Sequence, residues 1–116
     1  MKVTIYHNPR CSKSRAALEL LRERGIEPQI IEYLHAPPDA ATIKQLLRKL
    51  GMKPRELLRK SELAFRELDL ADASKSDADL INAMASHPAL IERPIVIVDD
   101  KAVVGRPPEL ILELLA

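Results

Sequence analysis

The sequence holds a single cysteine, no tryptophan, and only two tyrosines and one phenylalanine in its 116 residues. One cysteine excludes an internal disulfide. Any thiol chemistry on this chain therefore needs a second thiol from elsewhere, in keeping with a reducing compartment. With aromatics at 3%, the core must be built from Leu, Ile and Val. No stretch approaches the roughly 18 consecutive apolar residues of a membrane span, and the start, "MKVTIYHNPR", has neither a long apolar region nor a small-residue cleavage site. A cytoplasmic protein is expected. An excess of one charge is missing too: 18 Lys and Arg stand against 17 Asp and Glu, for a net charge of +1. That balance argues against a general nucleic-acid or membrane binder and leaves any anion site to local clustering. There is no Cys/His metal cluster and no Gly-rich phosphate loop, so neither a metal nor a bound nucleotide cofactor is expected.

What is present suits one globular domain. Hydrophobic residues at 47% and charged residues at 30% suffice for a core and a solvated surface, and the length is too short for two domains of usual size. "KVTIY" (residues 2 to 6) reads as a strand. Ala17, Leu18 and Leu21 share one face of a helix expected from about Ser14 to Arg24, with Gly25 placed to cap it. "PQIIEYL" (28 to 34) reads as a second strand, which completes a βαβ unit with parallel strands. Ile43, Leu46, Leu47 and Leu50 give the strongest helical spacing in the chain, and it ends at Gly51. "PRELLRK" and "ELAFREL" predict shorter helical pieces, and Ser76 to Ser86 a further helix stopped by His87 and Pro88. "PIVIV" (94 to 98) is a continuous apolar run suited to a strand covered on both faces. A "DDK" turn leads into "AVVG" as an antiparallel partner, and a last helix is expected over Pro107 to Ala116. This order, βαβ then ββα around a helical insertion at about residues 36 to 90, describes an α/β, thioredoxin-like mixed sheet within a single domain spanning 1 to 116.

The only cysteine, Cys11, lies in the connection between the first strand and the first helix, where ligands collect in parallel βα units. A thiol there faces the unpaired N–H groups of a helix start, and His7, Arg10, Lys13 and Arg15 are candidate neighbouring cations. The opposing reading is an inert structural cysteine, since free cysteines are commonly buried. Polar neighbours on both sides favour the reactive one. Cys11 and Ser14 also have the spacing of a C-x-x-C redox pair with the second sulfur replaced by oxygen. Such a site forms an adduct that it cannot resolve internally. Ser14 is equally a candidate helix N-cap.

Arg59 in "LLRK", Arg93 in "ERPIV" and Arg106 in "GRPPE" are the remaining candidates, the latter two directly before prolines that restrict the backbone. Converging on one thiolate, three guanidinium groups would grip a tetrahedral oxyanion and stabilise charge as it is displaced. Dispersed, they are surface arginines of little consequence. Spacing alone does not choose between these.

The motifs "YHNPRCSKSR", "LLRK", "HPALIERPIV" and "GRPPE", in this order and over nearly the whole chain, closely resemble the glutaredoxin-dependent arsenate reductases. The resemblance implies that Cys11 is the nucleophile, that His7 helps to lower its pKa, and that Arg59, Arg93 and Arg106 are the family's arginines. It implies attack of the Cys11 thiolate on arsenate with loss of water, attack by glutathione, and removal of that glutathione by glutaredoxin so that arsenite leaves. Glutathione would be a co-substrate and glutaredoxin a partner. Apart from the resemblance, the chain is expected to be a monomer. By the same resemblance Pro94 is expected to be cis and close to Cys11. One departure is Ser12, where many relatives carry glycine, followed by Lys13. The rival readings are a glutathione-dependent thiol reductase of another substrate, and a redox-sensing regulator that binds RNA polymerase. Regulators of that type typically carry C-x-x-C, which Cys11 and Ser14 cannot supply. His35 and His87 are expected to be loop and helix-end residues.

Overall fold

The computed structural model describes all residues from Met1 to Ala116. The chain divides into two compact units, one formed by Met1–Ala36 with Arg93–Ala116 and the other by Pro37–Glu92.

The first unit is a four-stranded mixed sheet in the order β2-β1-β3-β4, built from β1 (Val3–Tyr6), β2 (Gln29–Ile31), β3 (Ile95–Val98) and β4 (Lys101–Val104). β1 pairs parallel with β2, aligning Ile5 with Ile30, and antiparallel with β3, aligning Ile5 with Val96. β3 and β4 form the expected hairpin, with Val96 opposite Val103. Every residue of the central strand β1 is buried. Helix α1 (Ser12–Glu23) buries Ala17, Leu18 and Leu21, which join Val3, Ile5, Val96, Val98 and Ile111 in an aliphatic core. The last segment is a 3₁₀ turn, Pro108–Ile111, followed by the short helix α6 (Leu112–Leu115), and not one continuous helix. Two further boundaries move: α1 begins two residues earlier than expected, and β2 is shorter than "PQIIEYL" suggested, because the chain turns at Glu32, where His35 N–H donates to Glu32 O at 2.9 Å.

The second unit is helical: α2 (Ala40–Leu50), α3 (Pro54–Leu57), α4 (Leu63–Glu67), α5 (Asp77–Ser86) and a 3₁₀ turn at Pro88–Leu90. Local chemistry explains the ends of its two longer helices. The Asp39 carboxylate accepts from Thr42 N–H at 2.8 Å at the start of α2, and Gly51 closes it in the left-handed conformation at φ 66°. Ser76 and Asp79 form a reciprocal capping box at the start of α5. Ile43, Leu46, Leu47, Leu80, Ile81 and Met84 are buried where α2 packs against α5. An isolated antiparallel bridge between Leu58 and Ile91 ties the segment after α3 to the unit's end.

The Arg93–Pro94 bond is cis, as expected, and the Arg106–Pro107 bond is cis as well. No helix is long and apolar enough to cross a membrane.

Candidate active site

The turn that presents Cys11 is built by the residues between β1 and α1. His7 N–H extends the β1–β2 pairing by donating to Ile31 O at 2.8 Å. Asn8 then reverses the chain. Its side-chain oxygen accepts from Arg10 N–H at 3.0 Å, and its carbonyl from Cys11 N–H at the same distance. Cys11 itself, in extended backbone geometry, is the N-cap residue of α1, and its carbonyl receives the first helical hydrogen bond, from Arg15 N–H. The Arg15 guanidinium reaches back to Pro9 O at 3.0 Å and closes the loop.

The Cys11 thiol is only partly buried, and its pKa lies below the ordinary value. Burial acts in the opposite direction and would raise it. The backbone N–H groups of Ser14 and Lys13, with the positive charges of Arg93 and Arg106, outweigh that effect. The sulfur makes no cap hydrogen bond of regular geometry, so these N–H groups act on it mainly as the positive end of the helix. Arg93 and Arg106 are adjacent because Gly105 N–H donates to Pro94 O at 2.9 Å, and Arg106 Nη1 reaches Arg93 O at 3.4 Å. Gly105 fits closely there: a Cβ would meet Ile111 Cδ1 at 3.2 Å and Pro94 Cγ at 3.3 Å, so those side chains would have to give by a few tenths of an ångström.

His7 and Ser14 are brought together, though not in the roles foreseen for them. Ser14 lies inside α1 and is fully buried, so it caps nothing; the cap position belongs to Cys11. The Ser14 hydroxyl accepts from Asn8 N–H at 3.0 Å and stands 2.6 Å from His7 Nδ1. Which of the two donates in that short contact is set by the tautomer of the imidazole, since the hydroxyl has a second lone pair beside the one taken by Asn8. Burial pushes the His7 pKa below its ordinary value; Glu32 opposes this, and Arg22 and Arg15 reinforce it. His7 is therefore neutral near pH 7 and is not the neighbouring cation the spacing suggested. Its contact is with the hydroxyl that holds the Cys11 loop.

Arg10, Lys13 and Arg15 are exposed on the rim of the same loop, and Ser12 is exposed at the first position of α1. Arg59 belongs to the second unit, where its backbone N–H donates to Leu90 O at 2.8 Å. Its partly buried guanidinium is paired: Nη1 bonds to Glu62 Oε1, and Nε lies 3.6 Å from Glu92 Oε1. Neither carboxylate was foreseen, because one is three residues away across a turn and the other comes from a segment that only the Leu58–Ile91 bridge brings near. Asn8 was missed as well, although an Asn before a Pro is a recognisable turn former. His35 lies in the turn after β2 and His87 caps the end of α5.

The model of the ArsC family matches residues 6–114. The uncharacterized Escherichia coli protein YfgD is 55% identical over 114 residues, covering 97% of this chain and 96% of that protein. An arsenate reductase from Neisseria meningitidis is 48% identical over 109 residues, covering 93% of each chain. The solved structure of an arsenate reductase from Vibrio cholerae superposes with a TM-score of 0.96 at 50% identity, covering 98% of both chains.

Proposed function

The chain belongs to the ArsC family, and from that premise we propose that it reduces arsenate to arsenite with Cys11 as the nucleophile. The observation that carries this reading is the partly exposed Cys11 thiol, whose pKa is held down by the N–H groups of Ser14 and Lys13 and by Arg93 and Arg106. The thiolate is the attacking species, and lowering its pKa enlarges its share at neutral pH. The same donors suit a tetrahedral oxyanion, which guanidinium groups bind through two parallel hydrogen bonds.

In the first step Cys11 Sγ forms a bond to arsenic while an As–O bond breaks and that oxygen leaves, protonated, as water. Arg93 and Arg106 offset the charge on the remaining oxygens. Glutathione then forms an As–S bond to the adduct as a second oxygen leaves, protonated, as water. The glutaredoxin thiolate attacks the glutathione sulfur, giving a mixed disulfide and leaving the As–S electron pair on arsenic, so two thiol sulfurs supply the two electrons that convert As(V) to As(III); water then displaces Cys11 Sγ from arsenic, which frees arsenite and restores the thiolate. Dividing the reaction among three thiols is why one cysteine in the chain suffices. Ser14 and His7 hold the loop that positions Cys11. Arg59 is assigned as a third oxyanion donor from its sequence motif.

The test is arsenate-dependent NADPH consumption through glutathione reductase, with glutathione present and with or without glutaredoxin. Activity should require both thiol donors and vanish in Cys11→Ser. Turnover by Cys11→Ser would remove the proposal, and turnover without glutaredoxin would remove that partner.

A further inference from the structure

The loop that carries Cys11 spends its own backbone donors. Asn8 N–H goes to Ser14 Oγ, Arg10 N–H to Asn8 Oδ1 and Cys11 N–H to Asn8 O, each at 3.0 Å, and Pro9 has no N–H to give. Residues 8 to 11 therefore offer no backbone donor to an anion, although they lie directly before the nucleophile. Donors for the sulfur come instead from the first turn of α1, at Lys13 and Ser14, and its neighbouring charges from Arg93 and Arg106. The reach of the thiol toward all of these depends on how the loop hands the chain to the helix.

One peptide unit of the loop is gripped at both ends. The Pro9–Arg10 peptide accepts from Arg15 Nη1 at its oxygen, at 3.0 Å, and donates from its N–H to Asn8 Oδ1. It is the central peptide of the turn that Cys11 N–H closes onto Asn8 O, so its orientation sets the direction in which the chain enters α1. Arg15 is tied to the same point from the other side, because its own N–H donates to Cys11 O at 3.0 Å as the first bond of the helix. Neither side chain belongs to the core: Asn8 is half-buried and Arg15 exposed. Their two hydrogen bonds act on the loop alone.

We infer that Asn8 and Arg15 are paired positioning residues, which clamp the Pro9–Arg10 peptide so that the Cys11 sulfur stands against the first turn of α1. This rests on the reading of Cys11 as the nucleophile and deepens it. Because both side chains act through one peptide, their effects overlap: once either bond is gone, the peptide can turn and the other bond loses most of its value. Asn8→Ala and Arg15→Ala should each lower kcat for arsenate by roughly fivefold, the scale of one net hydrogen bond, with KM little changed. The double variant should fall no more than about twofold below the slower single one. Asn8→Asp keeps an acceptor oxygen at the same reach and should restore the turn, while its added charge disfavours the thiolate.

The experiment measures kcat and KM for arsenate in these variants, together with the pH midpoint of Cys11 alkylation by iodoacetamide, which needs no arsenate chemistry. Turnover is compared above every midpoint, so that differences in thiolate population drop out, and urea unfolding with an unchanged m-value verifies that each variant is folded. Raised midpoints in both alanine variants, a double variant close to the worse single one, and near-wild-type kcat in Asn8→Asp are the expected pattern. Multiplying effects of the two alanine substitutions, Asn8→Ala indistinguishable from wild type, or Asn8→Asp no better than Asn8→Ala would each overturn the inference while leaving the proposed activity standing. A wild type that turns over no arsenate, with alkylation midpoints that still shift and overlap, would overturn the activity alone.

Discussion

Ser14 sets how firmly the Cys11 loop is held, and Ser14→Ala tests this most directly. Its hydroxyl is fully buried and serves two partners, Asn8 N–H at 3.0 Å and His7 Nδ1 at 2.6 Å. Removing the oxygen loses both bonds. It also strands His7 Nδ1, on a ring that is only 6% exposed, and an Asn8 N–H that is partly shielded. A net hydrogen bond is worth about 1 kcal/mol, and a buried polar group left without a partner costs about 1–3 kcal/mol. The loss should therefore be about 2–4 kcal/mol. For a chain of this length, about 2 kcal/mol corresponds to a fall in Tm of roughly 8 °C. Urea unfolding under reducing conditions measures it, with an unchanged m-value as the sign that only the native state was altered. Because Asn8 also accepts from Cys11 N–H, the same variant should slow arsenate turnover in kcat more than in KM. A loss below about 0.5 kcal/mol with unaltered kcat would show that the hydroxyl contributes neither stability nor positioning.

Three further outcomes are expected. Arg93→Gln and Arg106→Gln should each raise the pKa of Cys11, since both charges favour the thiolate; the midpoint of iodoacetamide alkylation against pH should move up, and a fixed midpoint would mean that the helix N–H groups act alone. His7 binds its proton less readily in the folded state than in the unfolded chain. Stability should therefore decline as pH falls through the ordinary histidine range and recover above it, and His7→Gln should flatten that part of a Tm-against-pH curve. Gly51→Ala should cost about 1–2 kcal/mol in urea unfolding, because φ is 66° while the space around the position is open, so that backbone strain is the only penalty; an unchanged midpoint would mean that α2 ends elsewhere.

Much of the architecture was legible in the chain because its elements obey simple periods. Ile43, Leu46 and Leu47 repeat with helical spacing and are buried; "IVIV" is a strand because it is apolar on both faces. Boundaries were harder to read. The helix after Cys11 starts at Ser12 because the cysteine takes the cap position, an arrangement that propensity does not reveal when Ser14 is the better capping residue. The last segment breaks into a 3₁₀ turn and a single helical turn, although Leu110, Ile111, Leu114 and Leu115 fit one stripe.

The sequence by itself determined that one thiol stands between a strand and a helix, with no second cysteine to pair with it, and that prolines follow two of the arginines. It also determined where the hydrophobic stripes lie, since these depend on neighbours a few residues apart. Only tertiary structure decided the electrical state of the groups. His7 is neutral because the fold buries it, Cys11 is tuned by arginines some eighty and ninety-five residues later, and Arg59 is restrained by a carboxylate brought in by strand pairing. Charge and hydrogen bonding act through space over a few ångströms, and distance along the chain carries no record of which groups folding will place within that range.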